Sequence, residues 1–279
     1  MAEGRHTIYD YLRTTKRFPS LWCPGCGVGI FLGALLRAID NSGYTKDQIV
    51  LVSGIGCSGR ISTYVDFNTL HATHGRALTF ATGIKLVKPE LKVIVIMGDG
   101  DAVAIGGNHF IHAARRNIEI TAIVINNNVY GMTGGQLSPT TPLEMKTATC
   151  PYGNLENPFD ICKLAEGAGA VFIARSAVYH VKPMEKLIGK ALKKRGFGVL
   201  EIISQCPVQY GRRAGLSSAV EMMQWQRDNT VTVEKAKGLS EEELQGKIRI
   251  GVLIDKKAPT YQERLESLRE CLKEQVGAV

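Results

Sequence analysis

Nowhere in its 279 residues does this chain carry the roughly 18 consecutive apolar residues that a bilayer-spanning helix needs, so no membrane partner is expected. The opening Met1-Ala2-Glu3-Gly4-Arg5-His6 lacks the charged-then-apolar pattern of a secretory leader, and a cytoplasmic protein is predicted. Aromatic residues make up only 7% and do not alternate with basic ones, which argues against a nucleic-acid-binding stripe. Repeats and low-complexity tracts are absent. The formal net charge of +8 comes from 34 basic and 26 acidic residues, and Lys193-Lys194-Arg195 and Arg212-Arg213 are its short clusters. Such charge suits a solvated surface or, more sharply, an acidic protein partner. What the chain does have is 44% hydrophobic residues, ample for one large α/β core.

Seven cysteines in a cytoplasmic chain point away from disulfides and towards metal or redox use. Cys23-Pro24-Gly25-Cys26 is a C-x-x-C, Cys57 follows the strand at 49–53 in a glycine-rich loop, and Cys206 follows the strand at 199–203. Adjacent glycines let backbone N–H groups turn towards an anionic centre. A thioredoxin-like dithiol fits poorly, because Cys23 follows no strand. Structural zinc and a [4Fe–4S] cluster each take four thiolates, and spacing does not separate them. Cys150, Cys162 and Cys271 have no comparable setting and read as small core or surface thiols.

Strand and helix patterns alternate along the chain. Helices are predicted at 27–40, 75–88, 105–116, 159–167, 181–194 and 261–275, and strands at 49–53, 93–97, 120–125, 171–174 and 199–203. This predicts a doubly wound, mostly parallel sheet over 21–216, preceded by an arm at 1–20 and followed by a charged, weakly patterned extension at 217–279. The segment 131–158, rich in Gly, Thr and Pro, is too long for a plain connection and is expected to be functional.

Two polar clusters follow neighbouring strands: Gly98-Asp99-Gly100 and, 25 residues later, Asn126-Asn127-Asn128-Val129-Tyr130. Both then lie at carboxyl ends of parallel strands, where open α/β sheets bind ligands. A carboxylate (Asp99), an amide oxygen (Asn127) and a backbone carbonyl (Val129) are hard donors suited to Mg²⁺ shared with substrate phosphates. Asn126 is expected to hold the turn instead. Gly100 and Asp101, ahead of the next helix, can turn their N–H groups to a diphosphate.

This pattern resembles the signature of thiamine diphosphate enzymes. Taken with Trp22-Cys23-Pro24-Gly25-Cys26-Gly27, Gly54-Ile55-Gly56-Cys57-Ser58, Thr73-His74-Gly75-Arg76-Ala77 and Tyr130-Gly131-Met132-Thr133-Gly134-Gly135-Gln136, it resembles the β subunits of the 2-oxoacid:ferredoxin oxidoreductases over about residues 20–215. The resemblance implies a pyrophosphate-domain fold of the thiamine diphosphate-binding type and CoA-dependent oxidative decarboxylation of a 2-oxoacid. Ferredoxin would take the electrons, and the reaction would be reversible as carboxylation. It further implies a [4Fe–4S] cluster on Cys23, Cys26, Cys57 and Cys206, and Mg²⁺ on Asp99, Asn127 and Val129.

Cofactor contacts are expected from Ile55, Gly56, Cys57, Ser58, His74, Gly98 to Asp101, Asn127 and Val129 to Thr133. Thr133 to Gln136 would line the diphosphate or the substrate. His74 is expected at the reacting carbonyl, and Arg60 is expected to grip a substrate carboxylate through its guanidinium fork. His71 reads as structural, and His109 and His112 as packing or interface residues. Gly134-Gly135 and Arg60 resemble the 2-oxoglutarate branch, with a pyruvate or broad-specificity enzyme, or a cluster-free thiamine decarboxylase or synthase, as alternatives. In the resembling family the carboxylate that activates the cofactor comes from an α subunit. Glu3, Glu90, Glu119, Glu144 and Glu156 all read as surface or turn residues here. An (αβ)₂ assembly, alone or with further small subunits, is expected, and the chain is expected to be inactive without α.

Overall fold

The computed structural model describes residues 7–15, 19–216 and 218–277; Met1 to His6, including Glu3, lie outside the described residues. In chain order the elements are α1 (Gly27–Asp40), β1 (Ile49–Ser53), β2 (Asn68–His71), α2 (Ala77–Val87), β3 (Lys92–Gly98), α3 (Gly107–Arg115), β4 (Thr121–Asn126), β5 (Val129–Tyr130), β6 (Gln136–Leu137), α4 (Ile161–Gly167), β7 (Phe172–Ala177), α5 (Val181–Lys193), β8 (Gly198–Ile203), α6 (Ala219–Asn229), β9 (Thr230–Thr232), α7 (Val233–Ala236), α8 (Glu241–Leu244), β10 (Ile248–Asp255) and α9 (Tyr261–Gly277). The main sheet runs β2-β1-β3-β4-β8-β7-β10-β9. Its first six strands are parallel, as is the β9–β10 pair, and β10 runs antiparallel to β7. No helix among the described residues is long and apolar enough to cross a membrane.

β3 and β4 are buried along nearly their whole length, which explains their continuous Val/Ile runs: parallel strands have helices on both faces. On one face, Phe31, Leu35 and Ile39 of α1 and Ile188 of α5 pack on Ile94, Ile96, Ile123 and Leu200. On the other, α2, α3 and α4 bring Leu78, Phe110 and Ile161 against Val93, Val95, Val124 and Val199. The alternation of side chains along each strand therefore divides the core into two layers.

The expected strand–helix order holds, with informative differences. The helix expected from 105 begins at Gly107, after a π-helical turn over Asp101–Ile105. Such widened turns gather at functional sites. Asp160 caps α4, accepting from the N–H groups of Cys162 and Lys163, so that helix starts at Ile161 and not at Phe159. β2 was not expected, since Asn68-Thr69-Leu70-His71 has one apolar residue and lies at the sheet edge. β10 was also unassigned: Gly251 at φ 122° and a register shift between Val252 and Ile254 break its period. Its pairing with β7 continues the main sheet into the segment expected to be an appendage after 216.

Candidate active site

Four strand ends meet at one edge of the sheet. β1 leads to Cys57, β3 to Gly98-Asp99-Gly100, β4 to Asn127 and β8 to Cys206. Between them lies a cleft of about 570 Å³, a volume that includes its opening to solvent. Its walls include Ile55, Gly56, Cys57, Ser58, His74, Gly98, Asp99, Gly100, Asp101, Asn127, Val129, Tyr130, Gly131, Met132 and Thr133. These fifteen expected cofactor contacts are thus brought to one cavity, whereas Gly134, Gly135 and Gln136, expected at the diphosphate or the substrate, do not line it. Val28 and Ile125 also line it and were not foreseen, because each is one more apolar position in a regular helix or strand.

Asp99 is buried, and both Ser138 Oγ at 2.5 Å and Thr140 Oγ1 at 2.6 Å donate to its Oδ2. Its Oδ1 is committed to neither hydroxyl. Burial pushes the Asp99 carboxyl up, and those hydroxyls with nearby backbone N–H groups oppose the shift. A divalent cation would offset the same burial cost. Ser138 and Thr140 were missed by the sequence reading: they sit in the segment flagged as functional, but only folding shows which hydroxyls turn to Asp99.

Asn126 holds the turn as expected. Its Oδ1 accepts from the Asn128 N–H at 3.1 Å, and Asn128 takes the left-handed φ of 62°. Asn127 Oδ1 accepts from the Val129 N–H at 3.3 Å, a long contact that a metal could replace. Gly100 has no substitute here, since a Cβ would come within 2.3 Å of the Tyr130 ring.

Asp101 points the other way. Its Oδ1 accepts from Gly75 N–H at 2.7 Å and lies 3.1 Å from His74 Nδ1, while Oδ2 is buried without a partner. Burial raises the Asp101 carboxyl, against the pull of the Gly75 N–H and of His74. His74 lines the cleft, whereas Arg60 is exposed on the turn after Cys57 and does not. Thr133 lines the cleft and donates to Gln136 Oε1 at 2.5 Å; Gln136 stands outside it. His71, His109 and His112 also lie outside the cleft.

The cysteines converge beside it. Trp22 stacks on Tyr64 with ring centres 4.7 Å apart, and its Nε1 donates to the Cys57 carbonyl at 2.8 Å, tying the C-x-x-C arm to the Cys57 loop. The Gln205 side chain donates to Gly25 O at 2.9 Å, tying the same arm to the Cys206 loop. Gly25, at φ 78°, also lets α6 close on the turn, where a Cβ would lie 2.4 Å from the Ala219 Cβ. Burial pushes the Cys26 thiol to about 12, with Cys206, Cys57 and Cys23 adding to the rise. Cys57 is pushed to about 11, again by burial and then by Cys206 and Cys23. Cys206 is raised by burial, against N–H groups of Gln209, Tyr210 and Val208 turned to its sulfur. Cys26, Cys57 and Cys206, whose ionisation is disfavoured first by burial, fit a site completed by a positive centre.

Among the described residues, Asp160, Cys162 and Glu201 are the group whose three ligand atoms lie within 4.8 Å of one another; no three of the four cysteine sulfurs are so gathered. A single zinc, with bonds of about 2.3 Å, would draw its four sulfurs to roughly 3.8 Å apart. The cysteine sulfurs are thus not gathered as a single zinc would hold them. Of the remaining thiols, Cys162 is buried, Cys150 half-buried and Cys271 exposed.

Residues 54–202 match the C-terminal TPP-binding domain of the thiamine pyrophosphate enzymes. The chain is similar to the 2-oxoglutarate synthase subunit KorB of Methanocaldococcus jannaschii, 47% identical over 268 residues, which cover 96% of this chain and 99% of that one. With the KorB subunit of Archaeoglobus fulgidus it shares 53% identity over 261 residues, 93% of each chain. Its structure is similar to that of 2-oxoglutarate:ferredoxin oxidoreductase from Magnetococcus marinus with 2-oxoglutarate, coenzyme A and succinyl-CoA bound, at a TM-score of 0.86 and 33% identity, covering 98% of this chain and 95% of the other. With that cleft and these likenesses, the chain belongs to the β subunits of the 2-oxoacid:ferredoxin oxidoreductases.

Proposed function

We propose that this chain carries the thiamine diphosphate, Mg²⁺ and [4Fe–4S] sites of an enzyme that converts 2-oxoglutarate and coenzyme A to succinyl-CoA and CO₂, reducing ferredoxin, and that also runs in reverse. The observation that carries the reading is the wall at Gly131. A Cβ there would lie 3.4 Å from Cys206 Sγ, 3.8 Å from Cys57 Sγ and 3.7 Å from the Asn127 amide nitrogen. One backbone position thus separates the hard-donor site from the thiol site. When bound, thiamine diphosphate supplies a carbon nucleophile and electron sink for decarboxylation, and the cluster takes electrons singly.

The chain's own residues have distinct tasks. Asp99, Asn127 and the Val129 carbonyl hold Mg²⁺, and the N–H groups of Gly100 and Asp101 face the diphosphate. Val28, Ile55, Ile125 and Met132 keep water from the reacting centre. His74 turns Nδ1 towards Asp101, which leaves Nε2 to give or take a proton at the substrate's carbonyl oxygen. Arg60, exposed beyond Cys57, receives the distal carboxylate of 2-oxoglutarate.

A partner is integral to this reading. No glutamate lines the cleft among the described residues, so an α subunit supplies the activating carboxylate, in an (αβ)₂ assembly. In the 131–158 segment Tyr152 is 98% and Leu155 92% exposed, and such apolar side chains beside a site suit a subunit contact. The test is ferredoxin reduction by the assembled complex with coenzyme A. Turnover of 2-oxoglutarate should exceed that of pyruvate, and the isolated chain, loaded with cofactor and cluster, should turn over neither. Faster pyruvate turnover would reassign the substrate, and activity of the lone chain would remove the partner from the mechanism.

A further inference from the structure

Behind Asp99, on the face covered by α2, α3 and α4, a polar row crosses three strands of an otherwise apolar core layer. Arg175 of β7 stands in register with Glu201 of β8, and Asn126 ends the adjoining β4. Arg175 Nε donates to Glu201 Oε2 at 2.6 Å, and its Nη2 donates to Asp160 Oδ1 at 2.5 Å. Burial pushes the Cys162 thiol well up, so it stays protonated, and it donates to Glu201 Oε2 at 3.3 Å. The ligand atoms of Asp160, Cys162 and Glu201 gather within 4.8 Å, but the Arg175 guanidinium already bonds two of these residues, which makes the cluster an ion pair and not a cation site.

The other Glu201 oxygen leads to the cleft. Oε1 accepts from Asn126 Nδ2 at 2.8 Å. This fixes the Asn126 amide so that its Oδ1 accepts from Asn128 N–H at 3.1 Å and meets Thr140 Oγ1 at 3.0 Å. Thr140 places its one hydroxyl proton on Asp99 Oδ2, at 2.6 Å. Glu201 and Asn126 lie 75 residues apart in sequence, and Glu201 is 2% exposed. A buried ion pair is a poor source of stability, because desolvation cancels most of its attraction and apolar replacements are often neutral or better. Its value lies in direction. A carboxylate at Glu201 demands a donor, so it settles which way the Asn126 amide faces.

We propose that Glu201, held in place by Arg175, is a positioning residue for the Mg²⁺–diphosphate site. It locks the Asn126 amide, and through it the turn that presents Asn127 and Val129. The proposal rests on the thiamine diphosphate reading above, and its test separates the two. In the assembled complex, the Mg²⁺ concentration that half-saturates thiamine diphosphate binding is measured by fluorescence quenching, alongside thermal midpoint and iron content.

The double variant Arg175→Met/Glu201→Leu should fold, with a midpoint near that of the wild type and its iron intact. It should need at least about tenfold more Mg²⁺, the range typical when a supporting hydrogen bond behind a metal ligand is lost. Glu201→Gln keeps an acceptor for Asn126 but not its charge, and should raise the requirement about threefold. If the double variant does not fold, the Gln variant decides. An Mg²⁺ requirement unchanged from wild type in the folded double variant, or in the Gln variant when it decides, overturns the proposal. A wild-type complex that binds no thiamine diphosphate overturns the underlying reading and the proposal with it.

Discussion

β3 has a buried ionisable group at each end, Lys92 at its start and Asp99 just past its finish, only 4% and 3% exposed. Burial lowers the Lys92 ammonium to about 8, and Glu119 pulls it partly back. Glu119 is shared with other cations nearby: it lies 3.5 Å from Lys85 and 3.6 Å from Arg195, and Arg195 meets Glu263 at 2.9 Å. The groups on Asp99 are instead hydroxyls and backbone N–H groups. At the amino end of the sheet, a carboxylate of the chain itself offsets part of the cost of burying the charge. At the carboxyl end no cationic side chain among the described residues acts on Asp99, and the proposed Mg²⁺ would supply the compensating charge. The same physical cost is thus met in part from within the chain in one place, and is assigned by the proposal to a bound cation in the other.

The sharpest break of this comparison is Asp99→Ala. It should weaken Mg²⁺-dependent thiamine diphosphate binding by on the order of 100-fold or more, measured by titration of the complex, since a direct ligand matters at least as much as its supporting shell. Unchanged binding would place the metal elsewhere. Next, Cys57→Ala should remove the cluster's iron and visible absorption and abolish ferredoxin reduction while thiamine diphosphate still binds. Iron retained in that variant would exclude Cys57 as a ligand.

Lys92→Met tests the opposite end. It should stabilise the complex at neutral pH by about 1–3 kcal/mol, because an ammonium held near pKa 8 signals a desolvation cost. The sign follows from proton linkage. Below about 8, folded and unfolded chains both hold the proton, and the penalty is full. Between about 8 and 10.5 the unfolded chain holds more protons, so wild-type stability rises with pH and the advantage of Met shrinks. Thermal midpoints across that range check it, and an advantage that grew with pH would reverse the account. The smallest effect expected is that of Arg60→Ala, a rise of a few-fold in the KM for 2-oxoglutarate with kcat kept, as for an exposed ion pair worth at most about 1 kcal/mol. No change in KM would remove Arg60 from substrate recognition.

Sequence patterns exposed the parts of the site that are local. Asp99 and Asn127 follow strands whose Val/Ile runs are plain, and Cys23 and Cys26 sit on a tight turn with its own glycine. What stayed hidden depends on distance along the chain. Ser138 and Thr140 reach Asp99 across 39 and 41 residues, and no spacing rule singles them out from neighbouring hydroxyls. Glu201 looked like one polar residue in a strand, yet both its oxygens are engaged by residues from other elements. β2 and β10 escaped because edge position and a bulge remove the period that marks a strand.

The central claim is that the sheet's carboxyl end holds two metal-dependent centres that share the wall at Gly131. Anaerobic purification of the chain with its α partner, followed by iron, sulfide and thiamine assays, tests it most directly. The account predicts about four iron and about four sulfide for each bound thiamine diphosphate, as one cubane per cofactor requires. Thiamine without iron, or zinc in place of iron, would contradict it.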